Sequence, residues 1–167
     1  MTAALPPIRD AHDTDSEPLA ALIAASFAEY PNCLFDWSEF PELRRPASHF
    51  AAKGGRLWVA EAPGGGIAGS LGVAPVPGQD AVEITKVYAD PAFRGAGLAQ
   101  ALFAQARGFA EGSGHAEMML WSDTRFARAH RFYEKLGFVR WPCTRYLADV
   151  SATWEFHYRL SLTGGTP

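Results

Sequence analysis

Residues 87–106 read VYADPAFRGAGLAQALFAQA, and they require a strand to stop and a helix to start within a short span. Val87 and Tyr88 favour extended backbone, Asp90-Pro91 ends it, and the alanine- and leucine-rich run from Leu98 favours helix. Between them stands Arg94-Gly95-Ala96-Gly97. The first N–H groups of a helix lack intrahelical partners, and the helix dipole adds partial positive charge there. Glycines at such a start permit positive φ and close approach of a ligand to the backbone, while Arg94 offers a charged donor for phosphate oxygen. A pyrophosphate suits this chemistry, and so does a purely structural turn; the stretch by itself leaves both standing. It is no dinucleotide fingerprint, because the third glycine of G-x-G-x-x-G is missing, and the chain has no G-K-[ST] P-loop.

The flanking sequence supplies the rest of an α+β layer structure. Leu19, Leu22, Ile23 and Phe27 predict a helix in LAALIAASFAEY, after a short strand at Pro7-Ile8-Arg9. FPELRRPASHFAAKGG predicts a second helix, interrupted by Pro46 and stopped by Gly54-Gly55. RLWVAEA and IAGSLGVAPV predict a hairpin about Gly64-Gly65-Gly66, a run with no helix behind it to make a phosphate cradle. AVEITKVYA is the third strand, followed by a helix from about Gly97 to Glu111. EMMLWS is a further strand. DTRFARAHRFYEKLG reads as a helix capped by Asp123 or Thr124 and ended by Gly137 in left-handed conformation. FVRWPCTRYLA and ATWEFHYRL close the sheet, Pro142 marks a bulge or edge, and TGGTP is a frayed tail.

With 167 residues, 48% of them hydrophobic, the chain suits one domain over 1–167 that buries about two thirds of its unfolded surface. A net charge of −3 argues against a nucleic-acid partner. There is no leader pattern and no apolar run long enough to span a membrane, so the expectation is a cytoplasmic protein. Cys33 and Cys143 lack C-x-x-C spacing and read as reduced thiols. His115 and His130 have no metal-ligand spacing, which predicts no metal; His115 reads as a surface residue and His130 as one that packs or caps.

The strand, turn and helix around Arg94-Gly95-Ala96-Gly97-Leu98-Ala99 resemble motif A, Q/R-x-x-G-x-G/A, of the GNAT N-acetyltransferases, and AHRFYEKLGF at 129–138 resembles their tyrosine-bearing helix. The two motifs stand in the family's order, separated by one strand. The resemblance implies the α/β/α acyl-CoA N-acyltransferase fold, with a mixed sheet of about six or seven strands and flanking helices. It also implies acetyl-CoA as cosubstrate, lying between two parallel strands that part. Backbone groups of Val87 and Ala89 would pair with its pantetheine, and N–H groups from Arg94 through Ala99, with Gly95, Ala96, Gly97 and Leu98 between, would hold its pyrophosphate. A homodimer stays open.

Direct acetyl transfer to an amine needs a deprotonated nucleophile, a polarised thioester and a proton for the departing thiolate. Tyr133 matches the family's general acid, although Phe126, Ala129, Tyr133 and Leu136 also share one helical face, which is the pattern of a core tyrosine. Glu83 stands eleven residues before Arg94, as the general-base glutamate does in histone-modifying members; a solvated strand residue is the other reading. The asparagine that relatives often place seven residues before the tyrosine is Phe126 here. Tyr30, Phe35 and Trp37 read either as walls of an amine pocket, with Glu29 and Asp36 attracting the cation, or as helix packing; Asp123 reads either as an ammonium ligand or as a cap. The other functional reading is a module that binds acetyl-CoA without turnover.

Overall fold

Alternating apolar positions and β-branched residues build seven strands, and a computed structural model of the chain, describing residues 4–164, pairs them in one mixed sheet. The strands are β1 (Ile8–Asp10), β2 (Arg56–Glu61), β3 (Ile67–Pro75), β4 (Ala81–Ala89), β5 (Glu117–Asp123), β6 (Val139–Tyr146) and β7 (Trp154–Ser161). Their spatial order is β1-β2-β3-β4-β5-β7-β6. Only β4 and β5 pair in parallel, an arrangement that needs a crossover connection between them. That crossover is α3 (Leu98–Gly112); the other helices are α1 (Ser16–Phe27), α2 (Pro46–Ala52) and α4 (Ala127–Lys135).

Successive strand residues face opposite sides, and each side has its own helices. Val82 and Ile84 of β4 pack with Leu98, Leu102 and Ala106 of α3 and with Tyr133 of α4. Leu57, Val59 and Ile67 pack on the other face with Leu19, Leu22 and Ile23 of α1 and Phe50 of α2. The result is the three-layer arrangement expected from the sequence. Burying leucines this fully stabilises the fold by about 1.5–3 kcal/mol apiece.

Four local features bear on the sequence reading. Pro46 begins α2 instead of interrupting a longer helix, because a first-turn residue needs no N–H donor; a separate 3-10 turn, Pro41–Arg44, precedes it. Helix α4 starts at Ala127 without a side-chain cap, while Asp123, still in β5, accepts the backbone N–H of Arg125 at 2.9 Å. Gly137 does end α4 at φ 99°, and the β6–β7 register shifts between Trp141 and Thr144, around Pro142, in an edge strand. Of the predicted frayed tail, 165–167 lie outside the described residues.

The feature that positions the site is where β4 and β5 part. They pair only at Ala81–Glu117, Val82–Met118 and Glu83–Met119, although β4 continues to Ala89 and β5 to Asp123. Just beyond the last pair, the β3–β4 register shifts and Lys86 takes φ 54°, its carbonyl accepting the Ser70 hydroxyl at 2.6 Å. A bulge bends its strand, so β4 turns away while β5 stays paired with β7 along its whole length. A wedge opens between two parallel strands.

Candidate functional site

One edge of the wedge is backbone. Asp90 donates its N–H to Ala68 at 2.8 Å, on the β3 side, so by strand alternation the N–H and C=O of Ala89, and of Val87 before it, turn towards the gap. At the end of this edge stands the start of α3. Gly95 and Gly97 have φ of 75° and 89°, left-handed values that other residues adopt only with strain. A side-chain carbon built at Gly95 would meet nothing within 4 Å, and at Gly97 only the Gln100 side chain at 3.6 Å, so the space above both is open. Among the described residues, the N–H groups of Gly95, Gly97, Leu98, Ala99 and Gln100 have no acceptor. Those of Arg94 and Ala96 are engaged by the preceding turn, at Pro91 and Phe93.

The Arg94 side chain reaches Glu29, just past α1, through two hydrogen bonds, one of 2.8 Å. Arg128 approaches the same carboxylate at 3.7 Å. The hydrogen bonds from Arg94 hold the Glu29 carboxyl below its ordinary pKa. Glu29 therefore links the loop after α1 to the start of α3.

Two tyrosines flank the gap from opposite faces. Tyr133 of α4 is 5% exposed and packs with its ring centre 6.0 Å from Phe138 and 5.8 Å from Tyr158. Burial raises its pKa, which keeps the phenol protonated at neutral pH. Tyr88 lies on the α1 side, with its ring centre 6.1 Å from Phe27. Its pKa is raised by burial and then by the nearby Tyr133. Sequence reasoning passed over Tyr88, yet the signal was there: it alternates with Val87 and Ala89 in the strand assigned to the cofactor.

Glu83, the last β4 residue paired with β5, is half-buried, and its carboxylate makes no hydrogen bond or ion pair among the described residues. Burial raises its pKa, partly opposed by Arg145. Beyond it the α1 side closes with aromatics: Tyr30 against Phe126 at 4.8 Å, Phe35 stacked on Phe40 at 5.3 Å, Trp37 against Phe35 at 5.7 Å. Phe27 touches Phe35, Phe40, Tyr88 and Phe126 together. Phe126, in the asparagine position, thus belongs to this aromatic wall.

The ammonium role considered for Asp123 meets a competing partner. Its carboxylate is buried and held by Arg125 through bonds of 2.9 and 2.8 Å. Arg125 also reaches the Asn32 carbonyl at 2.9 Å and the Thr153 hydroxyl at 3.0 Å, so the pair clasps two loops to the end of β5. His130 is buried with Nε2 2.9 Å from the Asp123 carbonyl, and burial lowers its pKa. His115 lies 3.7 Å from Asp80. Cys33 is buried, its pKa pushed up to about 11 by burial, while Cys143 is exposed. Among the described residues, no group of three or more His, Cys, Asp and Glu side chains is placed to hold a metal ion, and no helix is long and apolar enough to cross a membrane.

Solved structures share this architecture. A GNAT-family acetyltransferase of Staphylococcus aureus Mu50 superposes with a TM-score of 0.80 at 18% identity, over 94% of this chain and 99% of that one. A phosphinothricin acetyltransferase of Sinorhizobium meliloti, solved with AcCoA, gives 0.72 at 18% identity over 98% and 91%. The yncA protein of Salmonella typhimurium, solved with acetyl-CoA, gives 0.71 at 19% identity over 98% of each chain. No curated protein matches the chain in sequence. These likenesses define the fold as that of the GNAT acetyltransferases. The family model described as "Acetyltransferase (GNAT) domain" matches residues 53–140, and the chain belongs to that family.

Proposed function

We propose that the chain, as one catalytic domain, is an N-acetyltransferase that moves an acetyl group from acetyl-CoA directly to a primary amine. The observation that carries this reading is the wedge between β4 and β5, which ends at a helix start whose N–H groups are free and whose glycines leave open space. Such a start suits a pyrophosphate through backbone donors and the helix dipole. Gly95, Gly97, Leu98 and Ala99 would hold it, with Val87 and Ala89 offering strand groups to the pantetheine. The cofactor supplies a thioester whose acetyl carbon accepts the amine and whose thiolate leaves.

The protein's own residues then manage protons. Glu83, unpartnered and with a raised pKa, takes a proton from the ammonium, directly or through water. Tyr133, held neutral by burial, donates one to the leaving sulfur. As the C–N bond forms and the C–S bond breaks, the ammonium nitrogen loses two protons. One passes through Glu83 to solvent, and the other replaces the proton that Tyr133 gives up.

Coenzyme A release across a panel of amines tests the reading, alongside thermal shifts with acetyl-CoA and ATP. Acetyl-CoA should protect the fold and ATP should not; the reverse would overturn the assignment. Tight acetyl-CoA binding with no turnover on any amine would instead make the chain a cofactor-binding module. Glu83→Gln should abolish the low-pH limb of the rate profile, and an unaltered limb would remove Glu83 from the base role.

A further inference from the structure

On the sheet face that carries α1 and α2, a cavity of about 460 Å³ opens beside Glu83. Its inner wall is Glu83, Thr85 and Lys86, the part of β4 at which pairing with β5 ends. The cavity therefore adjoins the place where an acetyl group in the wedge would be attacked. Its size is that of a small-molecule site.

Four charged side chains line it, two of each sign: Glu42, Glu83, Lys53 and Lys86. Glu42 and Lys86 neutralise each other across 2.5 Å, with both side chains largely out of solvent. His49 is also in the wall, and burial lowers its pKa, so it is uncharged at pH 7. Glu83 and Lys53 remain, neither with a hydrogen-bond or ion-pair partner among the described residues. A half-buried carboxylate without a partner is costly, and a ligand ammonium would relieve that cost.

We propose that this cavity seats the acceptor, and that the acceptor is a small zwitterion: an amino acid or amino-acid-like amine with its ammonium at Glu83 and its anionic group at Lys53. This rests on the acetyltransferase reading above. A polyamine or aminoglycoside would set further cations against Lys53, and a simple alkylamine would leave Lys53 without a counterion. A zwitterion satisfies both unpaired groups.

The test compares free L-amino acids with their carboxamides and decarboxylated amines, for example leucine, leucinamide and isoamylamine. Acetyl transfer and calorimetric binding to the purified protein are both measured. At least one amino acid should exceed its amide by about tenfold or more in kcat/KM and in affinity, as expected for losing a charge-assisted contact. Lys53→Gln, a change at an exposed position, should bring that ratio towards one, and Lys53→Arg should keep it. Amides and amines performing as well as the acids, or Lys53→Gln depressing all substrates alike, would overturn the proposal. If acetyl-CoA binds and amines are acetylated without any preference for acids, the zwitterion proposal alone fails. If acetyl-CoA does not bind, the acetyltransferase reading fails, and the acid-to-amide ratio in calorimetry still judges the cavity.

Discussion

The two sides of the wedge are built from different materials. The side proposed for acetyl-CoA is almost all backbone: a bent strand edge, two glycines in left-handed conformation and a run of helix N–H groups, contiguous from Val87 to Gln100. The side proposed for the acceptor is all side chains, drawn from α1, the loop after it, α2, β4 and the loop before α4. Backbone recognition depends on φ angles and tolerates few sequences, so it writes a short motif. Side-chain recognition assembled from distant segments can change one residue at a time and leaves no motif. Glu29, in the loop after α1, joins the two sides through Arg94.

Removing the proposed proton donor should separate the sides most sharply. Tyr133→Phe keeps the ring that packs on Phe138 and Tyr158, so cofactor affinity should stay within a few-fold while kcat falls about 10²-fold or more. Steady-state kinetics beside direct acetyl-CoA binding reads both quantities. Equal losses in the two would make Tyr133 a packing residue. Gly97→Val acts in the opposite way. A β-branched residue at φ 89° is strained by about 1–3 kcal/mol and puts methyl groups into the space above the N–H groups. Acetyl-CoA affinity should fall by about tenfold or more, and unchanged affinity would refute the backbone cradle.

The same contrast explains what was legible in the sequence. Strand β4, the helix start at Gly97, the tyrosine helix and its glycine stop could be read because each is a local pattern whose physics is complete within a dozen residues or so. The parting of β4 from β5 could not: it depends on a bulge at Lys86 whose φ of 54° no glycine or asparagine announces. Nor could the fate of Asp123, since its partner Arg125 is fixed by carbonyl and hydroxyl contacts at Asn32 and Thr153, far away in sequence. The insertion of β7 between β5 and β6 is likewise a matter of tertiary pairing. Tyr30 and Phe35 stand close together in the sequence, but only the ring contacts show that Phe126 joins their region.

Glu29 tests whether the two sides communicate. Its carboxylate occupies Arg94, the charged side chain beside the proposed pyrophosphate site, and adds negative charge near it. With both side chains partly in solvent, the pair is worth about 0–1 kcal/mol. Glu29→Gln should therefore tighten acetyl-CoA binding by up to about fivefold, measured by calorimetry at low salt, with the gain shrinking as salt rises. Weaker binding would mean that Glu29 positions Arg94 for the phosphate instead of competing with it.

The smallest effect concerns the scaffold on which both sides rest. His130 and His157 are buried, with Nε2 of His130 2.9 Å from the Asp123 carbonyl and Nδ1 of His157 3.0 Å from that of Leu120, so each ring N–H can donate to β5. Burial lowers both pKa values from 6.5, only partly opposed by those bonds. A histidine depressed in the folded state binds a proton more readily when unfolded. Its stabilising contribution is whole above pH 6.5 and is lost as pH falls from there through the lower folded value. Thermal denaturation from pH 7.5 downwards should thus show a declining midpoint that begins near pH 6.5, before the ordinary carboxylates titrate. His157→Gln, which keeps a donor within reach of the Leu120 carbonyl and cannot be protonated in this range, should flatten part of that decline. An equally steep decline in the variant would assign the acid sensitivity to other groups and leave β5 as a rigid post whose position does not depend on these rings.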